Sequence, residues 1–472
     1  MPTLNPEIIR EYDIRGVADH DFTDENCYLL GRAIGTFERR AGKKRITIGR
    51  DARLHSPRIR AGVLKGLLES GLEVTDVGMC ATPLLYFSVN HWEMDGGVMI
   101  TASHNPAPDN GIKICVGKST IHGADLRKIG EMVEQRDFVS EIRGRVVERA
   151  VLPDYVDYVS SQIRAPRKLR VAIDAGNGPG GVPAVPIFQR LGHEVIELYT
   201  EPDGRFPNHH PDPTVVDNLK DLIATVREKH CDVGIAYDGD ADRLGVVDEE
   251  GRPVWGDQLM ILFSRAILEK QKGGTFIAEV KCSRTLYDDV PKHGGRIIMW
   301  KTGHSLIKQK MKEEHALLAG EMSGHMFFAD RYYGFDDAIY SSARLVEILS
   351  ETGKRVGELL ADVPKMFSTP EIRVAAPEAR KFQIVEQLKE RFVKKYEVID
   401  IDGARINFPG GWGLVRASNT QAMLVLRFEA KDEPTLDAIR AEVEGELKAL
   451  ATVQEATSRL GASPRSEISP VT

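Results

Sequence analysis

Short apolar runs alternate with longer amphipathic stretches from one end of this chain to the other, and that rhythm restricts the fold to helices layered on largely parallel sheets. Arg45-Ile46-Thr47-Ile48-Gly49 and Gly97-Val98-Met99-Ile100 predict strands, with a helix over 62–70 between them. The same order recurs. Strands over 169–174 and 194–199 flank a helix at 185–191, and 232–237 ends a second unit. A third opens with a helix over 257–270, followed by strands at 275–280 and 296–300. The C-terminal part reads differently, with strands at 371–375, 398–408 and 423–429 and helices at 381–392 and 435–450, which is the order of a smaller α+β domain.

A chain of 472 residues is too long for one compact core, and about 100–200 residues per domain implies three or four. The expected fold class is α/β: three similar α/β domains with mixed, largely parallel sheets (1–152, 153–254 and 255–366) plus a C-terminal α+β domain (367–456). The Ser-, Pro- and Gly-rich tail, 457–472, is expected to be mobile. A formal net charge of −7 argues against a general nucleic-acid binder, yet it leaves room for a small phosphorylated ligand held by a few focused Arg and Lys side chains. Cys27, Cys80, Cys115, Cys231 and Cys282 are scattered, with no Cys-x-x-Cys, so neither a disulfide framework nor a zinc site is signalled. With no apolar signal core in residues 1–10 and no long uninterrupted apolar run, no membrane association is expected and the cytoplasm is the expected compartment.

Four segments carry chemistry. Asp238-Gly239-Asp240-Ala241-Asp242-Arg243 follows the apolar run 233–237, and carboxylates at alternate positions of an extended turn project to one side, where they can share a divalent ion. Oxygen-only ligands select Mg²⁺ or Ca²⁺. An EF-hand would use Asp238, Asp240, Asp242 and Glu249, but its obligatory glycine position is Arg243 and both flanks read as strands. A solvated acidic turn is the plainer alternative; the position at a strand's C-terminal edge, where open α/β sheets bind ligands, favours metal. Thr101-Ala102-Ser103-His104-Asn105-Pro106 occupies a similar edge, and Ser103 can serve there as nucleophile or phosphate carrier, or merely cap a turn. No Gly-x-Ser-x-Gly elbow surrounds it, so a hydrolase reading lacks support. In Gly320-Glu321-Met322-Ser323-Gly324-His325, Glu321 and Ser323 stand two apart and can present acceptors to neighbouring sugar hydroxyls, the alternative being an ordinary polar loop. Arg416-Ala417-Ser418-Asn419-Thr420 offers a guanidinium, hydroxyls and an amide within a few residues, a phosphate cradle or a simple polar turn.

These four segments, in this order and in successive domains, resemble the phosphohexomutase family over essentially the whole chain. Supporting stretches are Arg10-Glu11-Tyr12-Asp13-Ile14-Arg15-Gly16, Asn110-Gly111-Ile112-Lys113 and Lys301-Thr302-Gly303-His304-Ser305. The resemblance implies domains arranged around a central cleft and phosphoryl transfer between C1 and C6 of a hexose phosphate. It implies a phosphorylated Ser103 that binds one Mg²⁺ together with Asp238, Asp240 and Asp242, and a hexose 1,6-bisphosphate as activator. Glu321, Ser323 and His325 would contact the sugar, while Arg416, Ser418, Asn419 and Thr420 would hold the remote phosphate. Arg15, Lys113, Arg243 and Lys281 would surround the reacting phosphate, with Tyr12 and His304 lining the cleft and Lys113 or His304 carrying the proton. Gly-Glu-Met-Ser-Gly resembles the mannose/glucose branch; phosphoglucosamine mutase is the alternative. Small phosphosugars are the implied partners, with no nucleic acid or membrane, and the chain is expected to be a monomer or weak homodimer. A hinge is expected at 364–370.

Overall fold

The computed structural model describes residues 4–139, 143–418 and 422–460, the stretch 451–460 as backbone. The chain divides into two compact units, Met1–Val363 and Pro364–Thr472.

The first unit holds three mixed sheets. The first comprises β1 (Ile14–Val17), β2 (Arg45–Arg50), β3 (Glu73–Met79), β4 (Gly96–Ile100), β5 (Asp109–Val116), β6 (Ser119–Thr120) and β7 (Val146–Glu148), in the order β1-β5-β4-β2-β3-β7, with β6 beside β5. The second comprises β8 (Arg170–Asp174), β9 (Glu194–Leu198), β10 (Val233–Tyr237), β11 (Leu244–Val247) and β12 (Pro253–Val254), in the order β12-β11-β10-β8-β9. The third, ordered β14-β13-β15-β16, contains β13 (Thr275–Glu279), β14 (Arg296–Trp300), β15 (Leu318–Gly320) and β16 (Met326–Phe328).

One topological feature recurs in all three. A strand of the parallel core pairs on one side with the antiparallel strand that follows it directly: β4 with β5, β10 with β11, β15 with β16. The link leaves the parallel strand at its C-terminal end, the edge at which open α/β sheets bind ligands. Those three links are 101–108, 238–243 and 321–325, which carry Ser103, the aspartates and Glu321.

The first sheet has its own core, built around Ile34, Ile46, Ile48, Val98 and Ile112. Much of the second and third sheets shares one continuous core with the helix Ala338–Thr352. That helix is buried from Ala338 through Ser350. Its serines tolerate burial because each is hydrogen-bonded, Ser341 to the Asp337 carbonyl at 2.6 Å, Ser342 to Tyr237 at 2.7 Å and Ser350 to the Arg167 carbonyl at 2.8 Å.

The second unit is an antiparallel sheet of β17 (Phe367–Ser368), β18 (Ile372–Ala375), β19 (Glu397–Ile399), β20 (Ala404–Phe408), β21 (Gly411–Ala417) and β22 (Met423–Ala430), with β22-β21-β20-β19 as its spine. Helices Lys381–Phe392 and Glu433–Leu460 belong to the same unit. Here local reading erred. The expected single strand 398–408 is a hairpin, broken by a turn whose Gly403 has φ +90°, and β21 has no counterpart among the expected strands. The helix expected at 62–70 begins at Ser56, where Pro57 supplies a pre-set first-turn φ. The final helix continues past 450 to Leu460; the rest of the tail expected to be mobile lies outside the described residues. Among the described residues no helix is long and apolar enough to cross a membrane.

Candidate active site

Ser103 leaves β4 on a left-handed turn, φ +50°, and is almost fully buried. Its N–H donates to Thr101 Oγ1 at 3.0 Å, and its hydroxyl donates to Asp238 Oδ2 at 2.6 Å. The link 238–243 makes that meeting feasible. Because Tyr237 pairs with Leu244, the six intervening residues must turn tightly, and carboxylate oxygens of Asp238, Asp240 and Asp242 converge to within 4.8 Å of one another. Gly239 is required at the contact, since a Cβ there would lie 2.3 Å from the Ser103 carbonyl oxygen. Ala241 adopts φ +60° and is buried.

Each carboxylate is held differently. Asp238 Oδ1 accepts the N–H groups of Asp242 and Arg243, both at 3.1 Å. Asp240 Oδ2 accepts from Thr82 Oγ1 at 2.7 Å and Lys113 Nζ at 2.8 Å, while its Oδ1 is buried without a hydrogen-bond partner. Lys113, on β5 beside β4, also reaches Asp242 Oδ2 at 2.5 Å. Burial, with Asp242 and Asp240 close by, pushes the Asp238 carboxyl well above the ordinary range. Burial acts on Asp242 in the same sense, but Lys113 and His325 outweigh it and hold that carboxyl well below. Three oxygen donors of net negative charge with one orphaned carboxylate oxygen suit a hard divalent cation. The EF-hand alternative fails on its flanks, because β10 and β11 form an antiparallel pair.

The link 321–325 carries the second half of the site. Glu321 Oε2 lies 2.7 Å from His325 Nδ1 and 3.1 Å from Ser323 Oγ, so these side chains face one way, and Glu321 Oε1 accepts the Gly303 N–H at 2.8 Å. His325 Nε2 stands 3.1 Å from Asp242 Oδ1, joining this link to the metal-type triad. Burial alone would lower the His325 pKa; the anions Asp242 and Glu321 reverse this and lift it to about 10. Against its own burial, His325 most of all brings Glu321 down to about 2. A buried, ion-paired imidazolium is therefore a fixed cation across the neutral range.

Other expected positions of the first unit lie about this centre, and those of the second unit are described by themselves. His304 begins the helix His304–Glu314, its ring 6.0 Å from that of His325 and edge-on to Tyr12, whose hydroxyl donates to the Thr302 carbonyl at 3.0 Å. Burial drives the His304 pKa well below the ordinary histidine range. Arg15 reaches the serine loop through Asn105 Oδ1 at 2.7 Å and also pairs with Asp13. Arg243 Nε lies 3.4 Å from His325 Nε2. Lys281, just past β13, has Nζ 3.8 Å from Glu279 Oε1. In the second unit, Arg416 lies on β21 and pairs with Asp402, with Nε 3.0 Å from Oδ2; Ser418 follows, its N–H donating to the Met423 carbonyl. Asn419 and Thr420 lie outside the described residues.

Sequence reading missed several contributors. Thr82 reaches Asp240 from the start of another helix, and Asp51 and Arg53 follow β2. A signal for the latter existed: Gly49-Arg50-Asp51-Ala52-Arg53 ends an apolar strand, the same kind of edge that marked the other three links.

Four family models match successive parts of the chain, described as phosphoglucomutase/phosphomannomutase alpha/beta/alpha domains I (6–140), II (153–251) and III (255–367) and the C-terminal domain (371–446). A phosphomannomutase/phosphoglucomutase of Pseudomonas aeruginosa is 45% identical over 450 residues, 95% of this chain and 97% of its own. A phosphoglucomutase of Neisseria gonorrhoeae is 44% identical over 444 residues, 93% of this chain and 96% of its own. Among solved structures, a phosphoglucomutase/phosphomannomutase family protein of Burkholderia thailandensis superposes with a TM-score of 0.90 at 38% identity, covering 95% of this chain and 98% of its own.

Proposed function

Because this chain belongs to the phosphoglucomutase/phosphomannomutase family, we propose that it interconverts the 1- and 6-phosphates of mannose and glucose by way of Ser103 and a hexose 1,6-bisphosphate. The observation that supports this most directly is the Ser103 hydroxyl 2.6 Å from Asp238, within a buried triad of aspartates.

Asp238, Asp240 and Asp242 would hold one Mg²⁺, which supplies positive charge to the oxygens of a phosphate on Ser103. Phosphoryl transfer passes through a loose transition state, so alignment and electrostatic stabilisation do most of what a protein can do. Phospho-Ser103 donates its phosphoryl group to O6 of a hexose 1-phosphate, the bisphosphate turns end over end, and the other phosphate returns to Ser103. Lys113, Arg15, Arg243 and Lys281 neutralise the transferring group. His304, kept neutral by burial, can accept the attacking hydroxyl's proton, whereas Asp240 and Asp242 outweigh the burial of Lys113 and keep it an ammonium. Glu321 and Ser323 grip the 3- and 4-hydroxyls, with His325 fixing Glu321 in place. That grip suits both orientations of the sugar and leaves the 2-position unread, so mannose and glucose both serve. Arg416, Ser418, Asn419 and Thr420 are assigned to the non-reacting phosphate.

The test is conversion of mannose 1-phosphate, glucose 1-phosphate and glucosamine 1-phosphate to their 6-phosphates, with Mg²⁺ and a trace of glucose 1,6-bisphosphate, by wild type and Ser103→Ala. Rapid turnover of the first two, abolished in the variant, is expected. Preference for the amino sugar would place the chain in the glucosamine branch, and no turnover of any would remove the reading.

A further inference from the structure

Arg53 has a fully buried side chain whose guanidinium donates to four backbone carbonyls at and beside the loop that carries Ser103. Nη2 donates to the carbonyl oxygens of Ser103 (2.8 Å) and Asn105 (2.6 Å), and Nη1 to those of Pro106 (2.7 Å) and Asp109 (3.0 Å). Three of these carbonyls belong to the irregular link that presents Ser103, and the fourth opens β5. On the opposite side Asp51 Oδ2 lies 3.2 Å from Arg53 Nε, and Asp51 Oδ1 is fixed by the Ser56 hydroxyl at 2.5 Å and the Arg53 N–H at 3.0 Å. The ring of Phe206, from the loop after β9, covers the guanidinium with its centroid 5.2 Å from Cζ. That loop comes so close that a Cβ on Gly204 would lie 2.3 Å from the Ala52 carbonyl oxygen.

Ser103 is thus clamped on both of its peptide groups, its N–H by Thr101 and its C=O by Arg53. A left-handed serine is sterically costly and persists only where its surroundings over-determine it. A buried ion pair contributes little net stability. A rigid fork of five donors, however, can lock four carbonyls into one geometry.

We propose that Arg53 is a positioning residue for phosphoryl transfer, holding the loop that carries Ser103 so that Oγ stays aligned with the aspartate triad. This rests on the role proposed for Ser103. A lysine, with a single ammonium on a flexible stem, cannot span four carbonyls.

Wild type, Arg53→Lys, Phe206→Ala and Ser103→Ala are compared by kcat and KM for glucose 1-phosphate, by the rate at which glucose 1,6-bisphosphate phosphorylates Ser103, followed by intact mass, and by thermal stabilisation with Mg²⁺. In Arg53→Lys, kcat and the phosphorylation rate should both fall about 100-fold, the cost of a small misplacement of a reacting group, while KM and the response to Mg²⁺ stay near wild type. Phe206→Ala should lose the same two rates to a lesser degree, and it carries the test should Arg53→Lys not fold. Wild-type phosphorylation of Ser103 in folded Arg53→Lys, or in Phe206→Ala when the lysine variant does not fold, overturns the inference, as does a loss confined to KM or to thermal stability. Absence of turnover in wild type is a separate result, which removes the reading of Ser103 and this inference with it.

Discussion

Two residues of one link, Gly239 and Ala241, illustrate how differently a single methyl group acts. At Gly239 a Cβ would meet the Ser103 carbonyl at 2.3 Å, and backbone cannot give way as a flexible side chain can. Gly239→Ala should therefore lower kcat about 100-fold by separating serine from triad and cost about 1–3 kcal/mol by overpacking; steady-state kinetics and denaturant unfolding check both. At Ala241 the methyl already sits at φ +60°. Ala241→Gly relieves a left-handed strain of roughly 1–2 kcal/mol but adds about 0.5–1 kcal/mol of chain entropy, so turnover should be unchanged and unfolding little altered. The triad itself concentrates negative charge that a cation relieves. Mg²⁺ at 100 times its Kd should stabilise wild type by about 2.7 kcal/mol, measured as a rise in Tm that EDTA reverses. In Asp240→Asn, which loses one of the three carboxylates, that rise should shrink.

At the scale of elements, the helix Ala338–Thr352 begins on a buried carboxyl whose ionisation is linked to folding. Asp337 caps it by accepting the Tyr340 N–H at 2.8 Å, and the hydroxyls of Tyr155 and Tyr332 donate to the same carboxyl at 2.9 and 2.8 Å. Burial lifts its pKa from the ordinary 3.8 to about 7, against the pull of those donors. A carboxyl with a raised folded pKa contributes stability that is fully present below its unfolded value and lost as pH rises through the folded one. Wild type should thus lose ground to Asp337→Asn between about pH 4 and pH 7, and the difference in Tm between the two should level off above that range. A constant difference across the range would show that the group ionises in the folded protein near its ordinary pKa. The three functional links owe their positions to the same element logic, since each joins a parallel strand to the antiparallel strand beside it.

On the scale of the molecule, the chain separates at Val363/Pro364 into two units. The second has its own core of Leu388, Phe392, Ile406, Phe428 and Val443 beneath an antiparallel sheet. Residues 364–460 expressed alone should unfold cooperatively when followed by circular dichroism and should show no mutase turnover, because Ser103 and the triad belong to the first unit. A non-cooperative melt would show that its core needs the remainder of the chain.

Strand positions around the site were legible because they are local: apolar runs such as 96–100 and 233–237 bury both faces, and their C-terminal ends marked Ser103 and the aspartates directly. The composition of the links likewise identified an oxygen-rich metal-type cluster without any knowledge of packing. What sequence periodicity could not give is pairing across long separations. Thr82 and Lys113 meet Asp240 from more than a hundred residues away, and His325 meets Asp242 across a gap of 83. Nor could it show that Arg53 faces four carbonyls, that 398–408 breaks into a hairpin, or that β21 fills the centre of the last sheet. Local sequence set where strands begin and what their edges carry; only tertiary packing, which chooses partners by burial and register, determined which of those edges share one site.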